Sequence, residues 1–172
     1  CPVALCDPSP GLMVCLPARP LRATAFLDKD IRGNHPVIEM ANAELYGPRG
    51  PVPDPLDGEH LVPLGRADIK REGSDITLIA HGRSVLHALE AAGTLASDHS
   101  ISAEVVDLRS IRPLDQEAII NSVIKTSRAV LVDESTPFNG VSSQHAAPVP
   151  YTHQTQPQPA RAGHPWRASA ST

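Results

Sequence analysis

Aromatic residues are scarce in this sequence: two Phe, two Tyr and one Trp make up 3% of 172 residues. A core must therefore come from aliphatic side chains, and these concentrate between Ile76 and Val132. The length allows one domain of ordinary size, but the packable core is smaller than the length suggests. Cationic clusters are missing as well. The formal charge is −4 and no Lys/Arg block appears, so neither nucleic acid nor an anionic membrane is expected as a partner, since both call for a basic patch. No uninterrupted apolar run reaches the roughly 18–20 residues needed to span a bilayer. The first residue is Cys1 rather than Met, and the chain reads as starting inside a longer reading frame or after processing. Residues 1–16 are interrupted by Pro2, Pro8 and Pro10 and lack a basic start, which makes a poor signal or transit peptide.

Cysteine is sparse too. Cys1, Cys6 and Cys15 match no zinc spacing, and no His cluster sits beside them. An odd count without a framework reads as free thiols in a reducing compartment. The motifs G-x-G-x-x-G, G-x-x-x-x-G-K-[ST], H-E-x-x-H and G-x-S-x-G are all absent, so the common phosphate cradles, zinc helices and nucleophile elbows have no local signature.

What is present divides into three regions. Residues 1–59 are rich in Pro and Gly, with one strand candidate at 37–40 after the extended dipeptide His35-Pro36. The stretch Gly47-Pro48-Arg49-Gly50-Pro51, with Pro53 and Pro55, must be loop. Asp54 and Asp57 within it are read as solvated. Residues 145–172 are dominated by Pro, Gln, Ala, His and Ser without a period. They are expected to be disordered, because they cannot bury enough apolar surface to offset ordering entropy.

Residues 60–144 carry the physical signal. Residues 75–80 read as a buried strand, and residues 84–96 as a helix with Val85, Leu89, Ala92 and Ala96 in one stripe and Ser84 as N-cap. A second strand is expected at 101–107. A second helix should start at N-cap Asp115, with Leu114 and Ile119 placed as a hydrophobic staple, Ile119 and Val123 facing inward, and Ile120 and Ile124 as further candidates for that face. Residues 129–132 form the third strand. The fold class is therefore α/β, a parallel sheet built from βαβαβ units with right-handed crossovers. Strands covered on both faces should be near-continuous apolar runs, as these are.

In such a sheet, ligands gather at the carboxyl ends of the strands. Those ends bear His81-Gly82-Arg83, Leu108-Arg109-Ser110 and Asp133-Glu134-Ser135. Strand-end position is an associational argument for catalysis. His81, Arg83, Arg109 and Glu134 are read as an interface edge, and no residue is assigned as catalytic, cofactor-binding or metal-ligating. Arg83 and Ser84 at a helix start could hold an anion, but no glycine-rich cradle precedes them. His87 is read as a boundary histidine.

These residues resemble a family. The run Asp107-Leu108-Arg109-Ser110-Ile111-Arg112-Pro113-Leu114-Asp115 is close to a signature of pyruvate dehydrogenase beta subunits, and residues 74–92 resemble the start of their C-terminal domain. Residues 63–73, and Asn34-His35-Pro36-Val37-Ile38 with Glu44-Leu45-Tyr46-Gly47, are similar to the lead-in. Residues 19–27 are a poor copy of the linker helix, and beyond Val141 the match fades, which an internal deletion or altered frame near Gln144 would explain. The resemblance implies a transketolase C-terminal-domain-like fold for 60–144, truncated, with 1–59 as linker and remnant of a preceding cofactor domain. It further implies a heterotetramer of alpha and beta subunits with thiamine diphosphate and magnesium between them, and docking to a dihydrolipoyl acyltransferase core. The parent reaction would be oxidative decarboxylation of pyruvate to acetyl-CoA, in the mitochondrial matrix or, in a bacterium, the cytoplasm. In that family the magnesium motif lies in the alpha subunit and the activating glutamate in the beta subunit's N-terminal domain. The chain alone is therefore expected to be inactive and to bind no cofactor, with a role in subunit assembly. A branched-chain 2-oxo acid dehydrogenase beta subunit and a non-catalytic interaction domain are the alternatives; Gly82-Arg83-Ser84-Val85 and Glu134-Ser135-Thr136-Pro137 lean toward the pyruvate type.

Overall fold

The computed structural model describes residues 6, 10–47 and 63–134. Two small sheets share one chain. Sheet one is three-stranded: β1 (Met13–Cys15) lies between β2 (Val37–Glu39), to which it is parallel, and β6 (Ser110–Arg112), to which it is antiparallel. Sheet two has the order β3-β5-β4-β7, with β3 (Asp68–Arg71), β4 (Ile76–Ala80), β5 (Ala103–Asp107) and β7 (Ala129–Val132). Strands β5, β4 and β7 are mutually parallel, and β3 runs antiparallel on the edge beside β5.

The expected βαβαβ unit is therefore present, as β4–α2–β5–α3–β7, with α2 at Ser84–His99 and α3 at Gln116–Thr126. β4 is the middle strand of the three, so the two crossovers move in opposite directions across the sheet. Crossovers of one hand then place their helices on opposite faces. The packing agrees. Leu78, Ala80, Ala103 and Val105 pack with Val85, Ala88 and Ala92 of α2, whereas Ile79 and Leu108 pack with Ile119 and Val123 of α3. Alternate residues of β4 thus serve different helices, which follows from the period of two along a strand. Each fully buried aliphatic side chain among them contributes about 1.5–3 kcal/mol.

The helix ends divide between expectation and correction. Asp115 caps α3: its side chain accepts the Ala118 N–H at 3.1 Å, and Leu114 packs against the cluster that contains Ile119. Ile124, by contrast, is 55% exposed. Ser84 does not cap α2. It is the first helical residue and is buried, and the cap position falls on Arg83, whose side chain makes no cap bond. The turn through Gly82, at φ +54°, supplies the reason. Backbone bonds from Val85 N to Gly82 O at 3.3 Å and from Leu86 N to Arg83 O at 2.9 Å satisfy amides that a serine oxygen would otherwise have to take.

More of the first region is regular than its proline content suggests. Besides β2, it forms β1, a helix α1 (Pro20–Ile31) and a 3-10 turn (Ala43–Tyr46). The segment read as a poor copy of a linker helix is thus a full helix, started by proline at its first position, where the missing N–H costs nothing. Buried Ala25 and Phe26 hold it to Cys15 of β1. The first region is tied to the second through the β1–β6 pairing and through Leu16 N, which donates to Arg109 O at 2.7 Å. Asp54, Asp57 and the tail 145–172 lie outside the described residues.

Candidate functional site

The carboxyl ends of β4, β5 and β7 lie along one edge of sheet two, and each strand ends in or is followed by polar and charged residues. The four residues singled out from sequence fall into two groups there. His81, Arg83 and Glu134 occupy the β4–β7 side. Arg109 lies on the β5 side, next to the start of β3.

On the β4–β7 side, His81 is buried with its Nε2 3.4 Å from Asp133 Oδ1, but without the geometry of a hydrogen bond. Arg83 and Glu134 both turn to the first region. Arg83 Nη2 lies 2.5 Å from Glu44 Oε2, and Glu134 Oε2 accepts from Asn42 Nδ2 at 2.8 Å. Asn42 also caps the 3-10 turn, its Oδ1 accepting the Glu44 N–H at 2.9 Å. The turn is therefore fastened across the edge by one ion pair and one amide–carboxylate bond. Arg83 and Glu44 are substantially solvent-exposed, so their pairing gives position more than stability.

The β5 side is more enclosed. Asp107 ends β5 with 1% exposure, and Arg109 follows in the left-handed region at φ +60°. That conformation lets the Arg109 N–H donate to Asp107 Oδ1 at 3.0 Å while its guanidinium reaches Asp68 Oδ2 on β3 at 2.5 Å. Lys70 Nζ sits 2.5 Å from the same Asp68 oxygen and 3.6 Å from Asp107 Oδ2. Burial would raise the Asp68 carboxyl, but hydrogen bonds from Lys70 and Arg109 outweigh it and hold the group below its ordinary range. For Asp107 burial wins and the carboxyl is raised, against the pull of Lys70.

A third charged group was not anticipated. Glu104, the second residue of β5, has no exposed surface, yet its carboxylate meets Lys125 from α3, which also pairs with Glu72 at 2.6 Å. Burial raises this carboxyl too, and the bonds from Lys125 and Ser122 reverse the sign, leaving it lowered. The run 101–107 had been read as an apolar strand, and a Lys one helix away gives no local signal of the pairing.

Chemically, both arginines of the edge are paired with carboxylates and Glu134 with an amide, while His81 Nε2, Asp107 Oδ2 and Arg109 Nε are buried without hydrogen bonds. A diphosphate with magnesium would need free cationic or backbone donors and converging oxygen ligands. Arg83 and Arg109 each sit 2.5 Å from a carboxylate. Among the described residues, no three His, Cys, Asp or Glu side chains converge as metal ligands. No described helix is long and apolar enough to cross a membrane. The described residues thus do not fit thiamine diphosphate.

The chain is similar to known proteins in sequence and in fold. Residues 65–163 match the family model of the transketolase C-terminal domain. The chain is 42% identical over 141 residues to the pyruvate dehydrogenase E1 component subunit beta of Bacillus subtilis, covering 81% of this chain and 42% of that protein. It is 43% identical over 138 residues to the acetoin:2,6-dichlorophenolindophenol oxidoreductase subunit beta of the same organism, covering 80% and 39%. A third B. subtilis relative, the 2-oxoisovalerate dehydrogenase subunit beta, is 42% identical over 139 residues, covering 80% and 41%. The chain spans about 40% of the length of these curated relatives. Among solved structures, it resembles a split gene transketolase described as an inactive beta4 tetramer, with a TM-score of 0.71 and 29% identity over 89% of this chain and 48% of that one.

Proposed function

Since the chain belongs to the transketolase C-terminal domain family, we propose that it is the assembly portion of the beta subunit of a thiamine-dependent 2-oxo acid dehydrogenase. The observation that carries this reading is the closure of the sheet edge. In an open parallel sheet the carboxyl edge is where a reacting ligand would sit, yet Arg83, Arg109 and Glu134 are engaged by Glu44, Asp68 and Asn42 of the same chain. Such an edge holds parts of a subunit in register. In thiamine enzymes the cofactor supplies carbanion stabilisation, and the protein supplies position and electrostatics. The cofactor's seat in the assembled enzyme is assigned to the alpha subunit and to the beta subunit's N-terminal domain.

Pyruvate is the substrate we assign to the parent enzyme, with acetyl-CoA as the end product of the complex it would join through a dihydrolipoyl acyltransferase core. Support comes from Gly82-Arg83-Ser84-Val85 and from the pyruvate dehydrogenase relatives, at 41–44% identity. A branched-chain substrate is the competing reading, favoured by the 42% identity to the 2-oxoisovalerate relative. The compartment would be that of the complex, the mitochondrial matrix or the bacterial cytoplasm.

The test is co-expression with a pyruvate dehydrogenase alpha subunit, followed by affinity capture and calorimetry. Stoichiometric capture is expected, with no thiamine diphosphate binding by the chain alone. Failure of capture would favour a separate interaction domain. Micromolar cofactor binding by the chain alone, lost on mutating His81 or Glu134, would overturn the assembly reading.

A further inference from the structure

We draw no further inference here: the strongest candidate, the apolar outer strand β7 of sheet two, with Ala129 and Val130 exposed at its start, carries none, because nothing among the described residues shows what covers it.

Discussion

Gly73 and Gly93 offer one substitution with opposite expected outcomes. Gly73 lies between β3 and β4 and is pressed against the backbone of β5. A Cβ built there would stand 2.1 Å from Glu104 N, 2.3 Å from Ala103 C and 2.7 Å from Ala103 O. All three are main-chain atoms, so no rotamer change relieves the overlap, and the strand must move by roughly 1 Å. The neighbouring bonds oppose that movement: Ser74 N and Asp75 N donate to Ser102 O at 3.1 and 2.9 Å, and Ser102 N donates to Asp75 Oδ2 at 2.7 Å. Overpacking costs about 1–3 kcal/mol in side-chain cores, and Gly73→Ala belongs at about the upper end of that range. With a urea slope of about 2 kcal/mol per molar, the unfolding midpoint should fall by about 1.5 M. Gly93, inside α2, has nothing within 4 Å of its Cβ position. Gly93→Ala should instead stabilise by about 0.5–1 kcal/mol through helix propensity. A Gly73→Ala midpoint equal to or above that of wild type would refute the close approach on which the β3–β5–β4 arrangement depends.

Two further outcomes follow from the charged residues. Asp115 accepts Ala118 N on α3 at 3.1 Å and Ala67 N before β3 at 3.0 Å, so Asp115→Ala should cost about 1–2 kcal/mol in a urea titration, and a loss below the titration error would contradict the cap. Asp68, held low by Lys70 and Arg109 against the effect of burial, adds stability that is full above its ordinary value of 3.8 and lost as pH falls below it; the gap in unfolding midpoint between wild type and Asp68→Asn should therefore shrink under acid, and a gap that widens would reverse the assignment.

The parts of the fold that sequence made legible are those with a strong period. The run Ile76-Thr77-Leu78-Ile79-Ala80 is buried from Thr77 onward, and of the expected α2 stripe Val85 and Ala92 are buried and Leu89 packs against them partly buried, while Ala96 is only half-buried and Ala88 takes the remaining core position. Short strands were missed for a physical reason. β3 reads Asp-Ile-Lys-Arg, and Ile69 is 46% exposed because an edge strand covers its neighbour with few side chains. Its charges are set by Asp107 and Arg109, some forty residues away in sequence, so no local window shows them. β1 and β6 have three residues each, and they are recognisable only through each other. The same holds at the edge. His81, Arg83, Arg109 and Glu134 could be chosen by their place after strands, but their partners Asn42, Glu44 and Asp68 come from tertiary structure. Glu104 violates the apolar pattern of a covered strand, and Lys125, with the Ser122 hydroxyl, makes it tolerable.

Arg109 joins the two sheets and carries strain to do so. Its carbonyl accepts Leu16 N from the β1 side at 2.7 Å, its amide reaches Asp107, and its guanidinium holds Asp68 on β3. A residue with a side chain at φ +60° gives up about 1 kcal/mol relative to an ordinary conformation. The ion pair offsets that cost and fixes the chain's turn from β5 into β6. Arg109→Ala loses the ion pair but keeps the backbone penalty. Arg109→Gly loses the same ion pair and is freed of the penalty, since glycine adopts this region readily. Glycine should therefore be the milder change, by about 1 kcal/mol in urea unfolding, with both variants below wild type. If alanine proves equal or better, the left-handed turn is not what the junction requires, and the route from sheet two to sheet one through Ser110 must be drawn differently.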